Sequence, residues 1–340
     1  MSRVAEIVAD VRARGDAAVR EWAVELDGAE PAHAMPTRDL PAGAVLALAA
    51  AVRRWHALQR PADISLEIRP GVVLERRWVP IGSLGIYVPR GLVSTLVMCV
   101  VPAQVAGVER IVVVTPPNGA DRVAAAAELL GLEYVWALGG PPAIAALAYG
   151  TESIARVDKI CGPGGAFVNE AKLLVSRDVA IDLPAGPSEV VVLAGEDADR
   201  RIAELELAAQ AEHGPDSVRR LVEADGDLDA ALAEVEAIAP EHLVLLGEDV
   251  EAAAWRVRNA GAVFVGPWSA VAAGDYATGG NHVLPTGGWA RSVGGLGLES
   301  FLKPVTIQRL TEGGLAGLRP IVEALSAVEG MPAHAEAVRR

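Results

Sequence analysis

The chain has 340 residues, 51% hydrophobic against 22% charged, a composition that supports more than one buried core and excludes a disordered chain. Its 44 acidic side chains outnumber 30 basic ones for a net charge of −14, with no concentration of Lys and Arg to meet phosphate, so nucleic acid is not the partner. No apolar run is long enough for a membrane span, and the charged opening MSRVAEIVADVRARGD lacks a signal-peptide core, so the expected location is the cytoplasm.

In chain order, Val4, Ile7, Val8 and Val11 recur at helical spacing, Gly15 and Asp16 break the helix, and Val19, Trp22 and Leu26 resume it. A polar connection from Gly28 to Pro41 leads to an alanine-rich helix over Ala42 to Leu58, which ends before Pro61. VVLERRWVPIGSLGIYVP then reads as strands around a turn at Gly82 and Ser83. An α/β rhythm follows: strand RIVVVTPP, helix DRVAAAAELLG, strand YVWALG, helix PPAIAALAYG, strand VDKICGPGG into a glycine turn, and strand EVVVLAG. Strands separated by helices of this length pair in parallel through crossovers. The second half repeats the theme with a helix over Asp199 to His213, a strand at HLVLLG, a helix over Val250 to Asn259 and a strand GAVFVG. Residues after Lys303 read as helical to the end. The expected fold is α/β: two Rossmann-like parallel-sheet units with a C-terminal helical tail.

Cys99 and Cys161 sit in apolar or glycine-rich surroundings without a metal-type spacing, and read as buried and inert. Gln210 and His213, in QAEHGPDS, lie three apart on a helix that Gly214 and Pro215 end, so both side chains share a face. That spacing serves either a helix-end cap or two ligands of one metal ion. His33 and His56 read as solvated or structural, while His213, His242, His282 and His334 occupy unusual contexts. GDYATGGNHVLP holds Asp275 and His282 in a loop of the kind that positions functional groups. Imidazole, carboxylate and carboxamide donors without cysteine point to an open, catalytic zinc site rather than a closed structural one.

Glu241 and His242 in APEHL are adjacent just before an apolar strand. They form a general acid–base pair if they occupy the turn before that strand, since neighbours within a strand face opposite ways. The CGPGGAF turn presents amides to a phosphate or simply permits a tight bend, and it is not the G-x-G-x-x-G fingerprint. Ser188, in IDLPAGPSEVVVL, offers a hydroxyl at the mouth of a strand without a hydrolase elbow.

Together GIYVP, GGPPAIAALAYGTES, VDKICGPGGAFVNEAK, IDLPAGPSEVVVL, QAEHGPDS, PEHL, GDYATGGNHVLPT and EGMPAH resemble the histidinol dehydrogenase family from about Ala5 onward. The resemblance implies oxidation of L-histidinol through an aldehyde to L-histidine, with two NAD and one zinc per active site in a homodimer. It implies Gln210, His213, Asp275 and His334 as zinc ligands, and Glu241 and His242 as the catalytic pair. Ser188, His282 and Glu329, together with Gln210, His213, His242, Asp275 and His334, are the implied substrate contacts, His334 reaching the site of the partner subunit. Tyr87 matches an NAD contact, while Pro142 and Gly165 replace the glutamine and asparagine usual at the other two. The loop after YVP, the N-terminal arm and the segment between HGPDS and PEHL are all shorter than is usual. The expected division is a first domain of 1–87 with 190–302, a second, NAD-side domain of 88–189, and a tail of 303–340 that reaches the partner. The alternatives are a zinc and NAD dehydrogenase of another small alcohol, such as a sulfonated diol, and a non-redox zinc-binding protein.

Overall fold

The computed structural model describes residues 2–183 and 186–340; Pro184 and Ala185 of the IDLPAGPSEVVVL motif lie outside the described residues. Contacts divide the chain into one unit of residues 1–59 and 81–301 and a second of 60–80 and 302–340.

The first unit opens with α1 (Arg3–Arg14) and α2 (Asp16–Asp27), separated at Gly15, whose positive φ breaks the helix between them. Ser2 caps α1 by accepting from the amide of Ala5. After β1 (Ala32–His33) and α3 (Ala42–Ala57) the chain leaves this unit for β2 (Ile64–Arg69) and β3 (Val72–Pro80). It re-enters at β4 (Ser83–Tyr87) and alternates through α4 (Val93–Ala106), β5 (Arg110–Thr115), α5 (Ala120–Leu129), β6 (Trp136–Ala137), α6 (Gly140–Tyr149), β7 (Lys159–Cys161), α7 (Ala166–Val175) and β8 (Ala180–Ile181). These strands form one sheet in the order β1-β6-β5-β4-β7-β8, parallel except for β1. Ile7, Val11, Val19, Ile144, Leu147 and Val168 pack α1, α2, α6 and α7 into one core with Val112, Val114 and Ile160 of the sheet. The helix α4 is buried on nearly every side, as its unbroken apolar run requires.

The chain continues through β9 (Glu189–Ala194), α8 (Arg200–Gln210), β10 (Val218–Glu223), α9 (Leu228–Ile238), β11 (His242–Leu246), α10 (Glu248–Ala252), β12 (Ala262–Val265) and α11 (Val271–Tyr276). The four strands form a second, wholly parallel sheet in the order β10-β9-β11-β12. Alternate residues of β9 and β11 face opposite cores: Val191, Leu193, Leu243 and Leu245 pack with Leu232 and Val235 of α9. Val190, Val192, Val244 and Leu246 pack instead with Ala203 of α8 and Val271 of α11. Two parallel-sheet α/β units are present as expected from the sequence, but β1, β8 and β10 were not among the expected strands. The helix expected over Val250 to Asn259 is shorter, ending at Ala252 before a single 3₁₀ turn at Ala254–Arg256.

The second unit pairs β13 (Leu302–Leu310) antiparallel with β3, and β2 lies on the other edge of β3. Then follow α12 (Glu312–Val328) and α13 (Pro332–Ala337). The tail is thus helical only from Glu312; Leu302–Leu310 becomes a strand because β3 offers a ladder along its whole length. The strand β4 also departs from the expected grouping of 1–87 with 190–302, since it pairs with β5 and β7 rather than with any strand of the second sheet. Close approach in this unit is set by glycine: a Cβ on Gly314 would meet the carbonyl oxygen of Gly71 at 2.2 Å.

Candidate active site

In the six-stranded sheet the chain runs from β4 outward to β5 and β6, then returns to place β7 on the other flank of β4. The carboxyl ends of β4 and β7 therefore flank a switch point, the usual ligand crevice of an open α/β sheet. A cavity of about 430 Å³ opens there, lined by Pro89 and Leu92 after β4 and by Pro163, Gly164 and Gly165 after β7. Its opposite wall comes from the amino ends of the second sheet: Ser188 just before β9, Glu241 just before β11, and His242 as the first residue of β11. The two sheets thus meet head to tail across the cavity.

Helix ends give the two walls opposite polarity. The first turn of α4, with Ser94 and Thr95, and the GPGG turn that opens α7 bring helix N-termini to one wall. At the other, α8 and α11 return from the far ends of their strands and finish with His213, in the 3₁₀ turn after α8, and Asp275 in the last turn of α11. Helix N-termini favour anions and C-termini cations, so the first wall suits a phosphate and the second a metal or ammonium.

Glu241 occupies the turn before β11 but His242 is the strand's first residue, so the condition read from the sequence holds for Glu241 alone; both side chains are buried and line the cavity. Glu241 Oε2 accepts from Ser188 Oγ at 2.7 Å and from the amide of Glu189 at 2.8 Å. The ring of His242 donates from Nδ1 to the carbonyl of Glu189 at 3.0 Å, which turns Nε2 toward Asp275 Oδ1 at 3.7 Å. That separation is too long for a hydrogen bond and acts as a charge contact. Burial pulls the His242 pKa down, but Asp275 and Glu241 outweigh it and raise the imidazole to about 10. The ring of His282 is the opposite case: burial lowers its pKa, Nδ1 donates to the carbonyl of Asp275 at 3.0 Å, and Thr95 Oγ1 lies 3.3 Å from Nε2.

Ser188, His213, Glu241, His242, Asp275, His282 and Gly165 come together as lining residues. Gln210 is buried at the end of α8, and its amide nitrogen has no hydrogen-bond partner among the described residues. The hydroxyl of Tyr87 is turned into the fold, accepting from the amide of Gly140 at 3.4 Å, and Pro142 is buried in the first turn of α6; neither lines the cavity. Glu329 and His334 are exposed in the second unit. Among the described residues no three His, Cys, Asp or Glu side chains converge closely enough to hold a metal ion.

Residues not singled out from the sequence support the site. The Lys172 ammonium, on α7, is buried in an ion pair with Asp182 and also donates to the carbonyls of Gly162 at 3.1 Å and Leu183 at 3.2 Å. Asp182 Oδ2 in turn accepts from the amide of Gly162 at 2.7 Å, so the pair ties the GPGG turn to the segment leading to Ser188. A lysine on the buried face of a helix was the available signal. Glu206, one turn before Gln210, accepts from the amide of Val271 at 3.3 Å and so holds the start of the helix carrying Asp275; burial raises its pKa.

The histidinol dehydrogenase family model matches residues 1–229 and 224–340, which together span the chain. The chain belongs to the histidinol dehydrogenase family. A histidinol dehydrogenase of Methanothermobacter thermautotrophicus is 41% identical to it over 396 aligned positions, covering 99% of this chain and 92% of the relative. One from Vibrio vulnificus is 39% identical over 388 positions, covering 98% and 90%. Both alignments are longer than the 340 residues present, so the chain is shorter than these histidinol dehydrogenases within the matched region. The family match breaks at 224–229, inside the segment between HGPDS and PEHL that reads as short in the sequence. The crystal structure of histidinol dehydrogenase from Elizabethkingia anophelis superposes with a TM-score of 0.88 at 32% identity, covering 99% of this chain and 90% of that one.

Proposed function

We propose that the chain catalyses the zinc-dependent, NAD-linked oxidation of L-histidinol through L-histidinal to L-histidine. The observation that carries this reading is the buried Glu241–His242 pair facing a cavity whose other wall is the β4–β7 switch point. A dinucleotide fits that wall: Gly165 is open, with nothing within 4 Å of an added Cβ, and the N-termini of α4 and α7 suit its pyrophosphate. The zinc donors proposed are Gln210, His213 and Asp275, with His334 from a partner copy as the fourth. The C-terminal ends of α8 and α11 fit a cation there, while the lack of a complete donor cluster among the described residues of one chain fits a shared site.

When bound, zinc acts as a template and Lewis acid for the substrate's amine and imidazole. His242 takes the hydroxyl proton as hydride passes from the carbinol carbon to NAD, and does so again from the aldehyde hydrate in the second oxidation. With Asp275 engaged by a cation, His242 loses one of the acidic neighbours that raise it and becomes a better base at neutral pH. Glu241, held by Ser188 and the Glu189 amide, takes a proton from the water that adds to the aldehyde.

Glu212, Glu241 and Asp275 line the cavity together with Asp182, whose charge is offset by Lys172, and no Lys or Arg lines it among the described residues. This favours a cationic amino alcohol over a sulfonated diol. The second unit exposes Leu66, Ile321, Leu325 and Val328, apolar surface consistent with a homodimer. The deciding experiment follows NADH formation by zinc-loaded protein with L-histidinol, with and without chelator. Chelator-sensitive formation of two NADH per histidinol supports the reading, and a preference for a sulfonated diol or turnover without NAD overturns it.

A further inference from the structure

Glu189 opens β9 immediately before Val190, which is paired with His242 in the β9–β11 ladder. Its main chain engages both members of the acid–base pair, the amide donating to Glu241 Oε2 and the carbonyl accepting from His242 Nδ1. Its side chain then bridges two separate segments. Oε2 accepts from the amide of Glu241 at 3.3 Å, and Oε1 accepts from the amide of Gly287 at 2.9 Å.

Gly287 follows Thr286, which with His282, Val283 and Leu284 lines the cavity, so one carboxylate joins the start of β11 to the end of that wall. Two diverging amides need two acceptor oxygens, which a carboxylate supplies and a carboxamide does not. Burial and the nearby Glu241 charge both work against ionising Glu189, so the placement is unfavourable unless its two bonds are used. For strand pairing alone an uncharged side chain would serve as well. We infer that Glu189 is a positioning residue for the proposed oxidation, its carboxylate fixing where Glu241 and His242 stand in the cavity by bridging β11 to the 283–287 wall.

This inference rests on the functional reading above, and its test separates the two. The zinc-loaded wild type, Glu189→Ala and Glu189→Gln are compared for kcat, KM for L-histidinol and NAD, and amide exchange of peptides containing Glu241 and Gly287. Glu189→Ala is expected to lower kcat about 10- to 100-fold with each KM changed less than about threefold, since displacement of reacting groups weakens turnover rather than binding. Glu189→Gln, which keeps one acceptor, recovers part of that loss. Exchange at both peptides accelerates in the Ala variant. A kcat within twofold of wild type in Glu189→Ala overturns the inference, as does a loss confined to KM. If Glu189→Ala does not fold, Glu189→Gln is tested in its place, and a kcat equal to that of wild type with unchanged exchange at both peptides overturns the inference. A wild type that makes no NADH refutes the functional reading instead, and unchanged exchange at Glu241 and Gly287 then refutes the positioning role independently of activity.

Discussion

Ser188 Oγ donates to Glu241 Oε2 at 2.7 Å, so the serine hydroxyl and the carboxylate proposed to activate water form one unit. Replacing Ser188 with Ala leaves Oε2 the Glu189 amide alone. A hydrogen bond to a charged group is worth about 1.5–3 kcal/mol, so the rate falls by roughly tenfold or more. The loss is expected to be larger with L-histidinal than with L-histidinol in single-turnover assays, because only the aldehyde step consumes water. Equal losses would remove Ser188 from that step.

The metal prediction concerns binding as well as turnover. His213→Ala and Asp275→Ala each remove one proposed donor from the cation-favouring wall and should weaken zinc at least about tenfold in competition with a fluorescent chelator. Both residues are cavity-lining rather than core, so the circular dichroism spectrum should be retained. Unaltered zinc affinity in both variants would move the metal elsewhere.

Lys172 and Asp182 predict a stability effect. Their side chains are each only 1% exposed, so Lys172→Met leaves a buried carboxylate unpaired. Breaking such a pair costs about 3–5 kcal/mol. Denaturant unfolding should register that loss, with partial recovery in the Lys172→Met, Asp182→Leu double variant. A single variant as stable as wild type would show that water reaches Asp182.

Much of this was legible in the sequence, for identifiable reasons. Short β-branched runs such as RIVVVT, separated by alanine-rich helices, mark strands buried on both faces, and the central strands of both sheets follow from that pattern, whereas the edge strands β1, β8 and β10 do not. Glu241, His242, Asp275 and His282 stand in short segments beside glycine or proline, where a side chain has a positional reason to be present. The strand Leu302–Leu310 was hidden because its partner, β3, lies more than two hundred residues earlier, and no local periodicity reports a ladder that distant. The surroundings of Lys172 and Glu189 were hidden likewise: Asp182 and two carbonyls around Lys172, and the amides around Glu189, are brought near only by the fold.

The raised imidazole of His242 gives the metal-free protein a pH-dependent stability. Its folded pKa of about 10 lies above the ordinary 6.5, so the contribution is complete below about pH 6.5 and is lost as pH rises toward 10. Urea unfolding of the zinc-free protein should show less stability at about pH 9.5 than at about pH 7, two points inside that window. A His242→Asn variant should show a shallower decline. Equal slopes for the two proteins would mean that Asp275 and Glu241 do not hold the proton on this ring.

The second sheet presents the proposed reacting groups at its strand beginnings, which leaves its strand endings outside the cavity. No residue from 214 to 240 lines the cavity, and the connection from β10 to α9, where the family match breaks, leaves a strand at its carboxyl end. Chain can be gained or lost at that edge as evolutionary drift allows, while the cavity-lining side chains keep their stations at the opposite rim.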